Sequence, residues 1–308
     1  MTTRREFLQT ASAILAAGRA HPNRAGRLPL GFSTLGCPQW DWSRILDFAA
    51  AHEFAAVELR GLQASMDLTE RPEFEPAHIA QTKRQLAAHA LVVSCLGSSA
   101  NMHEMDEGVR AKQLAEARRF IDLAQALGAP YVRVFGNKFV AGVPRQKMLA
   151  HIAAGLHQLG AYARGKGVTV LIESHGDFTD SPTLLEILHL ADSPAVGLLW
   201  DAHHTYVSGK EQPEDTIRQV GGYVRHTHLK DSVPAGGDRR YVLTGTGDVP
   251  VERQVAALAK TGYRGCYSFE WEKRWHPEIE EPEVAFAQFA TVARGYLARA
   301  GVSAAPAR

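Results

Sequence analysis

Four side chains that can bind a metal ion stand at or near the ends of four successive apolar segments of this 308-residue chain: Glu173, Asp201, His228 and Glu270. One carboxylate after an apolar segment is often a helix cap, but three that converge would repel each other and raise their pKa values unless a cation lay among them. Three carboxylates and one imidazole form a hard, oxygen-rich ligand set that suits Mn²⁺, Mg²⁺ or Co²⁺ better than structural zinc. The sequence therefore predicts one divalent metal ion, with Mn²⁺ as first choice and Mg²⁺, Co²⁺ or Zn²⁺ as alternatives.

Polar side chains beside these four could contact a small-molecule substrate, and we predict three substrate-binding residues: His175, His204 and Lys230. His204 lies three residues after Asp201, outside the apolar segment, where it could hydrogen-bond a hydroxyl of a bound sugar. Lys230 lies two residues after His228, so in an extended strand both side chains share one face. Its ammonium group could bind or polarise an oxyanion there.

Glu58 and Arg60 stand at the end of an earlier apolar segment, Ala55–Leu59. Their opposite charges are compatible with a structural salt bridge between them. Their place at the end of a segment is equally compatible with contact to a substrate. The sequence leaves both interpretations open.

Eight short apolar segments alternate with helical stretches from Leu28 onward, and their lengths suit buried parallel strands: Leu30–Leu35, Ala55–Leu59, Leu91–Leu96, Tyr131–Phe135, Val168–Glu173, Val196–Asp201, Val224–Leu229 and Gly265–Glu270. The clearest helix, Val109–Leu127, is followed by Gly128 and Pro130, which end it. Eight strand–helix units in about 270 residues predict an α/β fold, a single (β/α)₈ TIM barrel. A doubly wound sheet is the alternative, but Ser33–Pro38 lacks its glycine-rich phosphate loop.

The barrel would bring the chemistry together, because active sites of (β/α)₈ barrels form at the C-terminal ends of the strands. Segments five to eight each deliver one metal-binding side chain to that rim. Alternation also places Leu171 and Glu173 on one face of their strand. The four ligands are therefore expected at the mouth of the barrel.

The N-terminus differs from the rest of the chain, since Thr3–Leu8 resembles a twin-arginine export signal and an Ala-rich stretch, Thr10–Gly18, follows it. We expect residues 1–27 to be a signal peptide and linker, 28–300 the barrel and 301–308 a C-terminal tail. The protein would then be periplasmic or secreted.

Composition restricts the partners of this chain. A net charge of +1 gives no reason to expect a nucleic-acid partner. No segment after the N-terminus approaches the roughly 20 apolar residues of a membrane span. The three cysteines, Cys37, Cys95 and Cys266, lack metal-site spacing and are expected to be buried free thiols. A homo-oligomer is possible.

Four motifs together resemble those of the xylose isomerase-like TIM-barrel superfamily of sugar isomerases and epimerases: Val170–His175, Leu199–His204, His226–Asp231 and Ser268–Glu272. The resemblance implies that Glu173 and Glu270 are both metal ligands and an acid/base pair, and that His204 contacts the sugar. One glutamate would remove the proton between a ketone and its neighbouring hydroxyl to give a metal-bound cis-enediolate. The other would return a proton on the opposite face.

The predicted function is therefore that of a metal-dependent sugar isomerase or epimerase. A lyase or dehydratase acting on keto-sugars or 3-keto-glycosides remains open, because elimination replaces reprotonation when the group beta to the abstracted proton can leave. A non-catalytic sugar-binding barrel is disfavoured, since binding alone does not need two metal-bound glutamates. DNA-repair endonucleases of the superfamily hold three zinc ions with additional histidines, which strands two to four do not supply here.

Overall fold

Residues 26–304, the part of the chain that the computed structural model describes, contain eight parallel strands that pair into a closed barrel. They are β1 Leu30–Ser33, β2 Ala56–Leu59, β3 Val92–Asn101, β4 Tyr131–Phe135, β5 Thr169–Glu173, β6 Val196–Asp201, β7 Val224–Leu229 and β10 Tyr267–Phe269. Each strand pairs with the next along the chain, and β10 returns to pair with β1. The predicted fold, a single (β/α)₈ TIM barrel, is confirmed. The export signal lies almost wholly outside the described residues, and the domain boundaries remain predictions.

Nine helices lie between and after the strands in the described part of the chain: α1 Trp42–Ala51, α2 Ile79–Ala88, α3 Glu107–Leu127, α4 Arg145–Ala163, α5 Ser181–Ala191, α6 Ala202–Val207, α7 Pro213–Val220, α8 Val251–Ala259 and α9 Pro282–Arg299. Helix α3 begins two residues before the expected Val109, because Asp106 caps its N-terminus by accepting a hydrogen bond from the Val109 amide. It ends where expected, at Gly128, whose φ of +80° favours glycine. None of these helices is long and apolar enough to cross a membrane.

The eight-strand pattern missed one element, an antiparallel hairpin between β7 and α8. Its strands are β8 Asp231–Ala235 and β9 Asp238–Val242. Gly236 and Gly237 form the two-residue turn with φ values of +57° and +91°, which side-chain-bearing residues rarely adopt. The hairpin brings Tyr241 beside the rim, since its ring lies 5.5 Å from that of His203.

A small apolar cluster, separate from the main core, lies beside the site. It consists of four buried side chains from β3 to β6: Cys95, Tyr131, Leu171 and Leu199. Leu171 lies two residues before Glu173 on β5, so both side chains are on the same face of that strand. All three cysteines are buried thiols that form no disulfide bond, as predicted.

Candidate metal centre

The ends of β5, β6, β7 and β10 bring the four predicted metal-binding side chains into one buried cluster. Their ligand atoms lie within 4.8 Å of one another. His228 is at its centre, because its Nδ1 lies 3.1 Å from Glu173 Oε1, 3.2 Å from Glu270 Oε2 and 3.9 Å from Asp201 Oδ2. One imidazole nitrogen and three carboxylates therefore face a common point.

The orientation of His228 is set by Glu58, a side chain that the sequence did not assign to the site. His228 Nε2 lies 2.9 Å and 3.0 Å from the two carboxylate oxygens of Glu58, which is fully buried. An ionised carboxylate only accepts, so Nε2 carries a proton and Nδ1 is the nitrogen turned toward the other carboxylates. Histidine ligands of metals are commonly oriented in this way. The salt bridge considered between Glu58 and Arg60 is wrong, because Glu58 is paired with histidine.

Two further donors hold Glu58 in place. Its Oε2 lies 2.8 Å from His226 Nε2 and accepts a hydrogen bond of 2.9 Å from Ser268 Oγ. Burial alone would raise the pKa of Glu58, but the neighbouring His228 and His226 lower that pKa far below its ordinary value. Glu58 therefore stays ionised and keeps His228 in one orientation.

The carboxylates around His228 stabilise a positive charge at the centre of the cluster. Burial opposes ionisation of His228, yet Glu270, Glu58 and Glu173 raise the pKa of this imidazole well above its ordinary value. A metal ion bound at Nδ1 would take the place of that proton, because a ligating imidazole must be deprotonated. The donor set is therefore suited to a cation.

Buried charge in the described part of the chain leads to the same conclusion. Five carboxylates and three cationic side chains are buried there: Glu58, Glu173, Asp201, Asp231 and Glu270, with Arg60, Arg133 and Lys230. With the histidines neutral, the net charge of these eight side chains is −2. Uncompensated buried charge is strongly unfavourable, and one divalent cation would balance it.

Arg133 is a second site residue that the sequence analysis did not identify, and it lowers the pKa of Glu173. Its Nε lies 3.0 Å from Glu173 Oε2, close enough for an ion pair but without the alignment of a hydrogen bond. Burial would raise the pKa of Glu173, but Arg133 and then His228 lower that pKa to about 2. Glu173 is therefore ionised at neutral pH. The signal in the sequence is a lone arginine inside the buried strand β4.

Lys230, which directly follows β7, also lies in this cluster. Its buried Nζ donates to Asp201 Oδ2 at 2.7 Å and lies 2.8 Å from Glu272 Oε1. It also donates to Glu270 Oε2 at 2.5 Å. Burial opposes its charge, yet Asp201 and Glu270 raise the pKa of Lys230 well above its ordinary value. The ammonium group thus bridges two predicted ligands, and its contact with substrate remains a prediction.

The two rim histidines lie side by side at the mouth. His204 Nε2 lies 3.5 Å from Asp201 Oδ2, and its ring meets the ring of His175 edge-on at 5.1 Å. Burial, and then Lys230, lower the pKa of His204 to about 3, so the ring is neutral and can donate and accept. His175 Nδ1 is buried and has no hydrogen-bond partner among the described residues. His203 points elsewhere, with Nε2 at 2.7 Å from Ser232 Oγ.

Comparison with known proteins places this chain in a family. Residues 46–290 match the family model described as xylose isomerase-like TIM barrel. An inosose dehydratase of Clostridium perfringens strain 13 is 27% identical over 184 residues, which cover 53% of this chain and 58% of that protein. The chain thus matches little more than half the length of this curated relative.

Solved structures agree with the fold. An L-ribulose 3-epimerase superposes with a TM-score of 0.72 at 19% identity, covering 88% of this chain and 95% of that one. The IolI protein, solved with a bound zinc atom, superposes with a TM-score of 0.71 at 17% identity, covering 86% and 97%. Since the family model spans most of the sequence, the chain belongs to the xylose isomerase-like TIM barrel family.

Proposed function

We propose that this protein is a metal-dependent sugar isomerase or epimerase that moves a proton on a carbon next to a carbonyl group. The observation that carries the proposal is the placement of two glutamates about one imidazole nitrogen. Glu173 and Glu270 approach His228 Nδ1 at 3.1 Å and 3.2 Å. They come from β5 and from the end of β10, with β6 and β7 between them in the barrel.

This placement suits proton transfer. A divalent cation held by the four side chains would polarise a ketone and the hydroxyl on the neighbouring carbon. The C–H of that hydroxyl-bearing carbon would thereby become more acidic. Both glutamates are ionised, because their cationic neighbours hold the pKa of each below its ordinary value despite burial. One carboxylate can accept the proton while the other returns one from the opposite side, as epimerisation of a single carbon requires.

The metal in this proposal is Mn²⁺, with Mg²⁺, Co²⁺ or Zn²⁺ as alternatives. Three carboxylates favour a hard cation, and the imidazole of His228 is more common with Mn²⁺ than with Mg²⁺. The neutral His204 and the half-buried His175 can bind sugar hydroxyls beside it. The substrate class is therefore a small sugar or sugar derivative.

A dehydratase or lyase is the second candidate. It would use the same proton abstraction, followed by loss of water or an aglycone from the next carbon. The matching relative named inosose dehydratase favours it. So does the position of Lys230 beside Glu270 and of His204 beside Asp201, since either side chain could assist a leaving group.

Incubation of the metal-loaded protein in D₂O with a panel of ketoses and 3-keto-glycosides separates the two. The isomerase proposal expects one carbon-bound proton to exchange with deuterium while the sugar stays intact, as read by NMR. Stoichiometric release of aglycone from a 3-keto-glycoside, or formation of an unsaturated sugar that absorbs in the ultraviolet, with no epimer from any free ketose, would refute the isomerase proposal and support the lyase.

We also propose that the protein is exported through the twin-arginine route. The support is the order of Arg4, Arg5, Phe7 and Leu8 before an Ala-rich stretch. The double change Arg4→Lys and Arg5→Lys is expected to leave a longer, unprocessed protein in the cytoplasm. Cell fractionation that finds the variant exported like the wild type would refute this proposal.

A further inference from the structure

Arg60 is a nearly buried guanidinium group without a carboxylate partner. It follows β2 and shares the inward face of Glu58, and only 8% of its surface is exposed. Its Nη1 lies 3.0 Å from Ser99 Oγ and 3.5 Å from the Gly97 carbonyl oxygen. No described carboxylate forms an ion pair with it, and Glu116 instead accepts a hydrogen bond from the Ser99 amide. Arginine keeps its charge in proteins, so this charge lacks a direct counterion.

Arg60 directly follows the C-terminal end of β2, which places it at the mouth of the barrel. Its other N–H groups have no hydrogen-bond partner in the described part of the chain and are not fully enclosed. The backbone around Arg60 is fixed, since its amide donates to Thr34 Oγ1 and that hydroxyl donates to the Gly61 carbonyl. The donors are therefore held in place and open to a ligand.

A second arginine stands next to it. A Cβ atom added at Gly97 would lie 2.7 Å from Arg133 Nη2 and 2.7 Å from Arg60 Cδ, so the two side chains flank this glycine. Glu173 neutralises Arg133 but leaves Arg60 unpaired. Burial, and then the neighbouring Arg133, lower the pKa of Arg60 to about 9, whereas Glu173, Glu270 and Glu116 act in the opposite direction. A further anion in direct contact with Arg60 would stabilise its charge.

The mouth therefore has two unlike halves. The ends of β5, β6, β7 and β10 present the cluster around His228, whereas Arg60 follows β2 and Arg133 lies in β4. The contact between Arg133 and Glu173 joins the halves. A single sugar can thus place its reacting carbons at the glutamates and a substituent at Arg60.

We propose that Arg60 binds an anionic group of the substrate, a carboxylate or a phosphate, and selects acidic sugars over neutral ones. This inference rests on the proposed function and names its substrate class. Guanidinium groups suit carboxylate and phosphate oxygens because their N–H donors form a planar fork. Hydrogen bonds to a charged group contribute enough to change affinity about 10- to 100-fold.

The test compares three ligands of one carbon skeleton: D-fructose, D-fructuronate and D-fructose 6-phosphate. Their dissociation constants are measured by calorimetry on the metal-loaded protein. We expect one of the two anionic ligands to bind about 10- to 100-fold more tightly than D-fructose. The anion that gains this affinity distinguishes carboxylate from phosphate.

The variant Arg60→Gln is expected to lose this preference while its affinity for D-fructose stays within about twofold and its metal content is unchanged. Arg60→Lys keeps the charge without the fork and is expected to retain part of the preference. The matched control is Arg264→Gln, which removes the same charge from an exposed residue before β10, at the opposite end of the barrel.

Two outcomes would overturn the inference. One is a wild-type protein that binds neither anion more tightly than D-fructose. The other is a preference that survives Arg60→Gln or disappears equally in Arg264→Gln. If deuterium exchanges into a neutral ketose but the protein binds no anionic ligand more tightly than D-fructose, this inference is refuted and the proposed function stands. A wild-type protein that binds no metal would refute the function itself.

Discussion

Turnover falls by about 10²- to 10⁴-fold when either Glu173 or Glu270 is replaced by glutamine, the range typical of general acid–base groups. The amide has nearly the shape of the carboxylate and keeps an oxygen toward His228, but it cannot accept the proton. Both side chains stand at similar distances from His228 Nδ1, so each variant is expected to be strongly impaired. The measurement is turnover on the substrate identified by deuterium exchange.

The control for this prediction is Glu107→Gln, an exposed side chain in the first turn of α3. It removes the same charge and is expected to leave turnover unchanged. Metal content is measured for each variant, so that loss of the ion is separated from loss of the base. Near-wild-type turnover of Glu173→Gln or Glu270→Gln with metal bound would show that the two-glutamate mechanism is wrong.

The sequence predicted the strands and the cluster well, for a physical reason. Strands β4, β6 and β7 have the expected bounds. The runs of β4 and β6 are largely apolar, because a buried parallel strand is apolar on both faces. The polar residue that ends such a run must then lie at the rim. Parallel neighbours bring their rims together, so Glu173, Asp201, His228 and Glu270 meet without any further information.

Contacts across the barrel could not be predicted in the same way. Glu58 and His228 are 170 residues apart and belong to strands that are not neighbours in the sheet. Alternation indicates that Glu58 points inward, but which side chain it meets depends on the tilt and stagger of the closed barrel. For the same reason the sequence could not decide between a salt bridge joining Glu58 to Arg60 and contact of these residues with a substrate.

Local irregularities were also invisible to the strand pattern. Strand β3 runs to Asn101, beyond the expected Leu96, and its pairing with β4 is irregular between Gly97 and Asn101. That irregular stretch carries Gly97 and Ser99, which hold Arg60. The hairpin β8–β9 depends on two glycines whose positive φ values only the structure reveals.

The second prediction with a large expected effect is loss of the metal ion when a ligand is replaced. His228→Ala removes the central nitrogen, and Asp201→Ala removes a charged ligand, so both variants are expected to lose the ion. Asp201 also caps α6 by accepting hydrogen bonds from the His203 and His204 amides, which is worth about 0.5–2 kcal/mol. Asp201→Asn is therefore the matched control, because it keeps the cap and removes the charge.

A graded result is expected from Glu58→Gln. This variant retains all four predicted ligands but replaces the ionised acceptor of His228 Nε2 by an amide. Loss of such a supporting partner typically weakens metal binding about 10- to 100-fold. Metal affinity measured by competition with a chelator should fall in the order wild type, Glu58→Gln, His228→Ala.

The central claim is that the cluster about His228 holds one divalent cation. Inductively coupled plasma mass spectrometry of the purified protein, loaded with Mn²⁺ and dialysed, tests it directly. The expected result is about one ion per chain in the wild type and nearly none in His228→Ala and Asp201→Ala. A wild type that takes up no divalent metal, or full occupancy in both variants, would contradict the account.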